Sequence, residues 1–138
     1  MSIKNFYKEN GYVVVHNLIN ELTIDKFLKV FSDEIVNNSS IKLPLMDKQT
    51  YSIPKFKNNI LQNPIADPHN IKYKNKKLKK FNDESLKVIL NNKIFKILKT
   101  IHNDDNFKLV MSMLFDQNAG TPAHQDCYYL ESLPIGNM

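Results

Sequence analysis

Strand-like periodicity begins late in this chain, and that limits the folds it can form. The first clear strand pattern starts at Phe107 of 138 residues, in "FKLVMSMLFDQ", where alternate residues are apolar. The side chains predicted to share one face of this strand are Leu109, Met111, Met113 and Phe115. "NAGTPA" predicts a turn and "HQDCYYL" a second strand. A sheet that starts so late has few partners in the sequence, so we expect an incomplete β domain.

The first forty residues favour helices. Ile3–Asn10 has the spacing of a short amphipathic helix, and Gly11 follows where a left-handed cap would stand. Asn20 can cap a second helix from Glu21 to about Val36. The apolar positions of that helix follow helical spacing and are Ile24, Phe27, Leu28, Phe31 and Ile35. Between the two helices, the β-branched run "YVVVHN" predicts a short buried strand.

The middle of the chain, from Ile41 to Asn82, has little periodicity. It is interrupted by four prolines, Pro44, Pro54, Pro64 and Pro68. A connection of this length is uncommon in a compact domain unless it is functional, so we expect a loop with short strand pieces, one role being a lid over a pocket. Beyond it, Asp83 is the predicted N-cap of a helix in "ESLKVILNN". "KIFKILKTI" predicts a further helix, which "HNDDN" ends.

Composition indicates one globular domain. The length allows a substantial core, and 42% of residues are apolar. A single cysteine, Cys127, excludes an internal disulfide and fits a reducing compartment. No apolar run approaches the roughly 18–20 residues that span a bilayer. The start of the chain lacks the apolar core of a secretory signal. We therefore expect a cytoplasmic location and no membrane partner.

The positive charge of the chain gives little evidence of a nucleic-acid partner. The net charge is +5, and every basic residue is lysine rather than arginine. The abundance of Lys, Asn and Ile is typical of mutational bias in the coding sequence. Six lysines lie in "KYKNKKLKKF" (72–81), which is either a patch for nucleic acid or an acidic substrate, or a solvated loop. We favour the solvated loop.

The tripeptide His124-Gln125-Asp126 contains the residues of a candidate metal site. In an extended strand, residues two apart point to one face at roughly 6–7 Å, so His124 and Asp126 can share one metal ion while Gln125 points away. An imidazole and a carboxylate, completed by a second histidine, form the facial triad of non-heme Fe(II) oxygenases, which leaves coordination positions open. The tripeptide alone occurs often by chance.

Two segments resemble the phytanoyl-CoA dioxygenase family of Fe(II)- and 2-oxoglutarate-dependent oxygenases. "FYKENGYVVVHNLINELTIDKFLKVF" (6–31) is similar to the helix, "GY-V" and amphipathic helix that open that family. "LVMSMLFDQNAGTPAHQDCYYL" (109–130) is similar to its first core strand, its Gly/Pro turn and its "HQD-YY" strand. The resemblance implies an α+β chain in which residues 1–106 are helical or loop. Residues 107–138 would be the first strands of a double-stranded β-helix, the jelly-roll or cupin-like fold.

The resemblance also implies site residues. His124 and Asp126 match the first two iron ligands, and Met113 and Gln117 match the wall of the 2-oxoglutarate pocket. Related halogenases carry a small residue in place of the carboxylate, so Asp126 indicates hydroxylation. The implied cofactors are Fe(II) and 2-oxoglutarate, with ascorbate as supporting reductant. The implied partner is a small-molecule substrate such as a CoA thioester.

The chain also departs from that family. The family requires a distal histidine and then an arginine that pairs with 2-oxoglutarate, but no histidine follows His124 and no arginine is present. His16, His69 and His102 are possible substitutes, although each is more simply a solvated turn histidine. With two ligands, we expect weak iron binding and a truncated protein that is inactive alone.

Two other hypotheses remain open. The chain is a non-catalytic fragment or a subunit completed by another chain, with self-association through an exposed strand edge. Alternatively, it is a basic nucleic-acid-binding module built on Lys72–Lys80.

We predict that the purified 138-residue chain does not convert 2-oxoglutarate to succinate when Fe(II) and ascorbate are supplied. The reason is that the third ligand and the arginine are not in the sequence. Succinate measured by mass spectrometry above a no-protein control would contradict this prediction.

Overall fold

Helices and small antiparallel sheets make this chain an α+β protein. The computed structural model describes residues 1–45, 51–71, 78–117 and 120. The α-helices are α1 (Ile3–Asn10), α2 (Glu21–Phe31), α3 (Lys79–Ile89) and α4 (Asn92–His102). None of the helices in these ranges is both long and apolar enough to cross a membrane.

The strands are all two residues long and pair antiparallel. They are β1 (Leu43–Pro44), β2 (Tyr51–Ser52), β3 (Phe56–Lys57), β4 (Ile60–Leu61), β5 (Ile65–Ala66) and β6 (Met113–Leu114). β1 pairs with β2, β3 with β4, and β5 with β6, and a bridge between Leu45 and Ile65 links the first pair to the last. The expectation of a loop with short strand pieces between Ile41 and Asn82 is confirmed for residues 41–45 and 51–71, whereas residues 79–82 belong to α3.

The first two helices have the predicted caps. Gly11 has φ +75°, and its N–H donates to the Tyr7 carbonyl at 2.8 Å. The Asn20 side chain accepts from the Thr23 N–H at 2.8 Å. α2 then continues as a π-helical turn (Ser32–Val36), so the predicted end at Val36 is right although the last turn is wider than an α-helix. Cap signals of this kind are local, which is why sequence alone predicts them.

The predicted strand at "YVVVHN" is wrong. Tyr12 and Val14 are 58% and 65% exposed, whereas Val13 and Val15 are half-buried. In the described part of the chain, the backbone groups of Tyr12, Val13 and Val14 have no backbone hydrogen bond. β-branched residues favour extended backbone, but a strand also requires a neighbour to pair with, and no described strand pairs with this segment.

The predicted start of α3 at Asp83 is also wrong. The helix begins at Lys79, five residues before the predicted first residue Glu84, and Asp83 lies inside it, 2.5 Å from the Lys79 ammonium. The N-cap position is Leu78, whose side chain makes no cap hydrogen bond. Instead, the Glu34 carboxylate from the π-helical turn accepts a hydrogen bond from the Phe81 N–H at 3.0 Å. A residue 47 positions upstream therefore satisfies a free N–H of the first turn, as a local cap would.

The core forms where α3 packs on α2. Phe81 is fully buried, with its ring centroid 5.8 Å from that of Phe27 and 6.3 Å from that of Phe31. The other buried apolar residues of this cluster are Ile35, Ile41, Leu43, Leu45, Leu61, Ile65, Ile71 and Leu78. Most of them come from the proline-rich middle of the chain, so that segment closes the core.

The predicted helix in "KIFKILKTI" is confirmed as α4, which packs against α1. The Asn91 side chain caps its start by accepting from the Lys93 N–H at 2.9 Å, and Asn103 ends it with φ +57°. His102 contacts Tyr7 edge to face, with ring centroids 5.6 Å apart. Beyond the helix, a hydrogen bond from Lys99 and its positive charge hold the pKa of Asp105 below its ordinary value.

We predict that Glu34→Ala destabilises the fold, because it removes the acceptor for a partly buried N–H. The expected loss in the free energy of unfolding is about 1–2 kcal/mol, as for the loss of an N-cap. Urea denaturation followed by circular dichroism would measure it.

The matched control is Asp33→Ala, which removes the neighbouring carboxylate. Among the described residues Asp33 pairs with the exposed Lys29, so its loss should cost less than about 0.5 kcal/mol. Equal losses for the two variants would show that the hydrogen bond to Phe81 is not the source.

Candidate functional site

β6 is the structural element that precedes the predicted metal ligands. It pairs antiparallel with β5, with Ile65 opposite Leu114 and Ala66 opposite Met113. His124 and Asp126 lie outside the described residues, as do Cys127, the predicted second strand and, apart from Gly120, the predicted turn. The geometry of the candidate site is therefore that of β6 and the residues around it.

The structure decides which face of β6 meets the core. Leu114 packs against the core, whereas Met111, Met113 and Phe115, which were predicted to share one face, are 40%, 41% and 42% exposed. Both faces of "LVMSMLF" are largely apolar, so alternation alone could not choose between them. The choice is made by Leu114 opposite the fully buried Ile65, and by Ser112, which meets polar partners.

The residues predicted to line the 2-oxoglutarate pocket lie at the open side of this strand. Met113 is on the face of β6 away from the core, and Gln117 is exposed three residues after β6 ends. Between them, the Asp116 carboxylate accepts a hydrogen bond from the Leu61 N–H at 2.9 Å. Asp116 therefore ties the end of β6 to β4, immediately before Gln117.

A polar cluster made of Asp67, His69 and Ser112 holds the other end of β6. Ser112 Oγ and His69 Nδ1 are 2.5 Å apart, with the donor set by the histidine tautomer. The Asp67 carboxylate accepts from the Ser112 N–H at 3.0 Å, and the Asp67 N–H donates to the Ser112 carbonyl at 2.8 Å. Sequence patterns indicated His69 as a candidate residue but did not indicate Asp67 or Ser112. The sequence signal for this part of the cluster was the Asp-Pro dipeptide at 67–68, which favours a turn.

This cluster does not have the geometry of a catalytic triad. His69 Nδ1 faces both Ser112 Oγ and Asp67 Oδ1, the latter at 3.9 Å. A triad requires the nucleophile on one ring nitrogen and the carboxylate on the other, because the base must pass a proton while it is held in place. The cluster is therefore a structural connection between β6 and the turn after β5.

The histidines considered as substitute ligands do not form a metal site in the described ranges. His69 is half-buried and bonded to Ser112, His102 contacts Tyr7 and Phe107, and His16 is exposed. Among the residues described, no group of three or more His, Cys, Asp or Glu side chains is placed to hold a metal ion.

The lysine-rich segment is described only in part. Residues 72–77 lie outside the described ranges, and Lys79 and Lys80 are exposed on the first turn of α3. Lys79 is paired with Asp83 in the same helix. The described lysines thus fit a solvated helix surface, and the choice between the two interpretations of 72–81 stays open.

Comparison with protein-family models, with curated proteins and with solved structures gives no match for this chain. The resemblance to the phytanoyl-CoA dioxygenase family therefore rests on the quoted segments alone.

We predict that Met113→Lys and Leu114→Lys have opposite consequences. Met113 is on the open face, so the lysine should change the free energy of unfolding by about 0.5 kcal/mol or less. Leu114 packs on the core, so a charged side chain there should cost about 3 kcal/mol or more. Thermal denaturation would distinguish them, and a larger loss for Met113→Lys would show that the face of β6 carrying Met113 is the one that meets the core.

Proposed function

We propose that this chain carries the iron-ligand segment of an Fe(II)- and 2-oxoglutarate-dependent hydroxylase of the phytanoyl-CoA dioxygenase type. Its short sheets would be the start of a double-stranded β-helix. The observation that supports this most is the position of β6, which pairs with β5 and ends ten residues before His124, with the Met113 side chain 41% exposed. A cytoplasmic location belongs to the same proposal.

The residues of the chain would have distinct roles. The neutral imidazole of His124 and the carboxylate of Asp126 are suited to Fe(II), and the remaining ligand would come from outside this sequence. Met113 would give an apolar wall that excludes water, and the amide of Gln117 could donate to a carboxylate. When bound, iron and 2-oxoglutarate would supply the oxidation, in which dioxygen hydroxylates a C–H bond while 2-oxoglutarate becomes succinate and carbon dioxide.

The substrate would be a small molecule, with a CoA thioester as one possibility. Its phosphates would suit a lysine-rich surface such as 72–81, part of which is exposed at Lys79 and Lys80. Ascorbate would act as supporting reductant, as in the family.

The proposal predicts a weak divalent-metal site at His124 and Asp126. Mn²⁺ accepts the same imidazole and carboxylate ligands, and its unpaired electrons broaden nearby NMR signals even when binding is weak. Substoichiometric Mn²⁺ should broaden the signals of residues 123–127 first. His124→Ala and Asp126→Ala should each weaken the effect by about 10-fold or more, because even loss of an outer-shell partner costs that much.

The matched control is Gln125→Ala, which lies between the two ligands in sequence and whose side chain would point away from them in an extended strand. It should leave the broadening unchanged. Broadening centred on another part of the chain, or equal loss in all three variants, would contradict the proposed metal site.

A further inference from the structure

β6 is too short to hold its position by backbone pairing alone. A two-residue antiparallel pair provides few hydrogen bonds, and isolated short strands are marginal in water. Ser112, immediately before β6, has three of its polar groups bonded to one turn: its N–H to the Asp67 carboxylate, its carbonyl to the Asp67 N–H, and its hydroxyl to His69.

The turn that supplies these partners is itself held against α3. Asp67 has φ +44°, a left-handed conformation, and a 3₁₀ turn (Pro68–Asn70) follows it. The Asn70 N–H donates to the Asp67 carbonyl at 2.8 Å. The side chain of Asn82, which is 4% exposed, donates to the Pro68 carbonyl at 3.0 Å. These bonds fix the position of Ser112 relative to the helical core.

We propose that Asp67 and His69 are positioning residues, which act through Ser112 to hold the start of β6 and thereby fix the strand from which the chain continues, past Asp116, toward "HQD". Asp67, His69 and Ser112 are called the clasp below. Its importance for metal binding rests on the proposed function, whereas its control of the chain after β6 does not.

Loss of the clasp should release β6 locally rather than unfold the domain. The bonds of the clasp are only part-buried, and the core around Phe81 does not include its three side chains. Strands at the margin of a core open with lower free energy than the core itself. A positioning role therefore predicts a change confined to β5, β6 and the residues that follow.

The test uses two disruptive variants of the whole chain. Ser112→Ala removes one hydroxyl, and Asp67→Gly removes the carboxylate while it tolerates the left-handed backbone. Asp67→Asn is the conservative variant, because its amide oxygen can still accept from the Ser112 N–H. Asp104→Ala is the matched control. Like Asp67, Asp104 accepts a backbone N–H with its carboxylate, but the donor is Asn106, two residues away, at 2.9 Å.

The first measurement is amide hydrogen exchange by NMR without metal. In Ser112→Ala and Asp67→Gly, exchange should rise about 10-fold at residue 67, whose N–H donates to the Ser112 carbonyl, and at Leu114, as expected for one lost hydrogen bond. Exchange at Ile35 and Phe81 should change less than about 2-fold, because the core stays closed. The amide shifts of His124 and Asp126 should move as well. Asp67→Asn and Asp104→Ala should resemble the unaltered chain.

Two results would overturn the proposal. Equal acceleration at Ile35 and Phe81 would show that the clasp contributes only to overall stability. Unchanged shifts at His124 and Asp126, despite opening of β5 and β6, would show that the clasp does not control the later segment.

A second measurement separates this proposal from the proposed function. Mn²⁺ broadening at His124 should be weaker in Ser112→Ala than in the unaltered chain. In Asp67→Asn it should be as strong as in the unaltered chain. If the unaltered chain shows no such broadening, the metal function fails, but the exchange and shift measurements still decide whether the clasp positions the chain.

Discussion

The packing of α3 on α2 through Phe81 is the interaction on which the other elements depend. The Phe81 ring is buried against Phe27 and Phe31, and its N–H donates to Glu34. Full burial of such a side chain contributes about 1.5–3 kcal/mol, and a buried N–H without a partner would cost about 1–3 kcal/mol. Phe81 thus combines the largest fully buried side chain of the described residues with the N–H that Glu34 accepts at the start of α3.

The proline-rich segment has structure because this helical pair gives it a surface. Its strands are too short to be stable separately, yet Leu43, Leu61 and Ile65 are buried on the same cluster as Phe81. Asn58 and Asn59, with φ +53° and +62°, make the tight turn between β3 and β4. The helical surface also holds the 3₁₀ turn at Pro68, through the hydrogen bond from Asn82. That turn carries Asp67 and His69, which hold Ser112 and β6.

Features with a local cause were predictable from sequence. Gly11 and Asn20 adopt the expected cap geometry because each cap is formed with residues three or four positions away. Adjacent Asn residues tolerate positive φ, so Asn58-Asn59 is also a local sequence signal for the β3–β4 turn. Asp83 also matched a local N-cap signal, but α3 does not begin there. Glu34, from a distant part of the chain, accepts the Phe81 N–H in the first turn of α3 instead.

The sequence by itself determined the helices with local caps, the short-strand character of the middle segment, and the chemistry that "HQD" could offer. Only the tertiary structure decided where α3 begins, which face of β6 meets the core, and what His69 contacts. The physical reason is the same in each case. Glu34 and Phe81, Ile65 and Leu114, and His69 and Ser112 are pairs whose members lie far apart in the chain, and no periodicity or cap signal records which distant residues will meet.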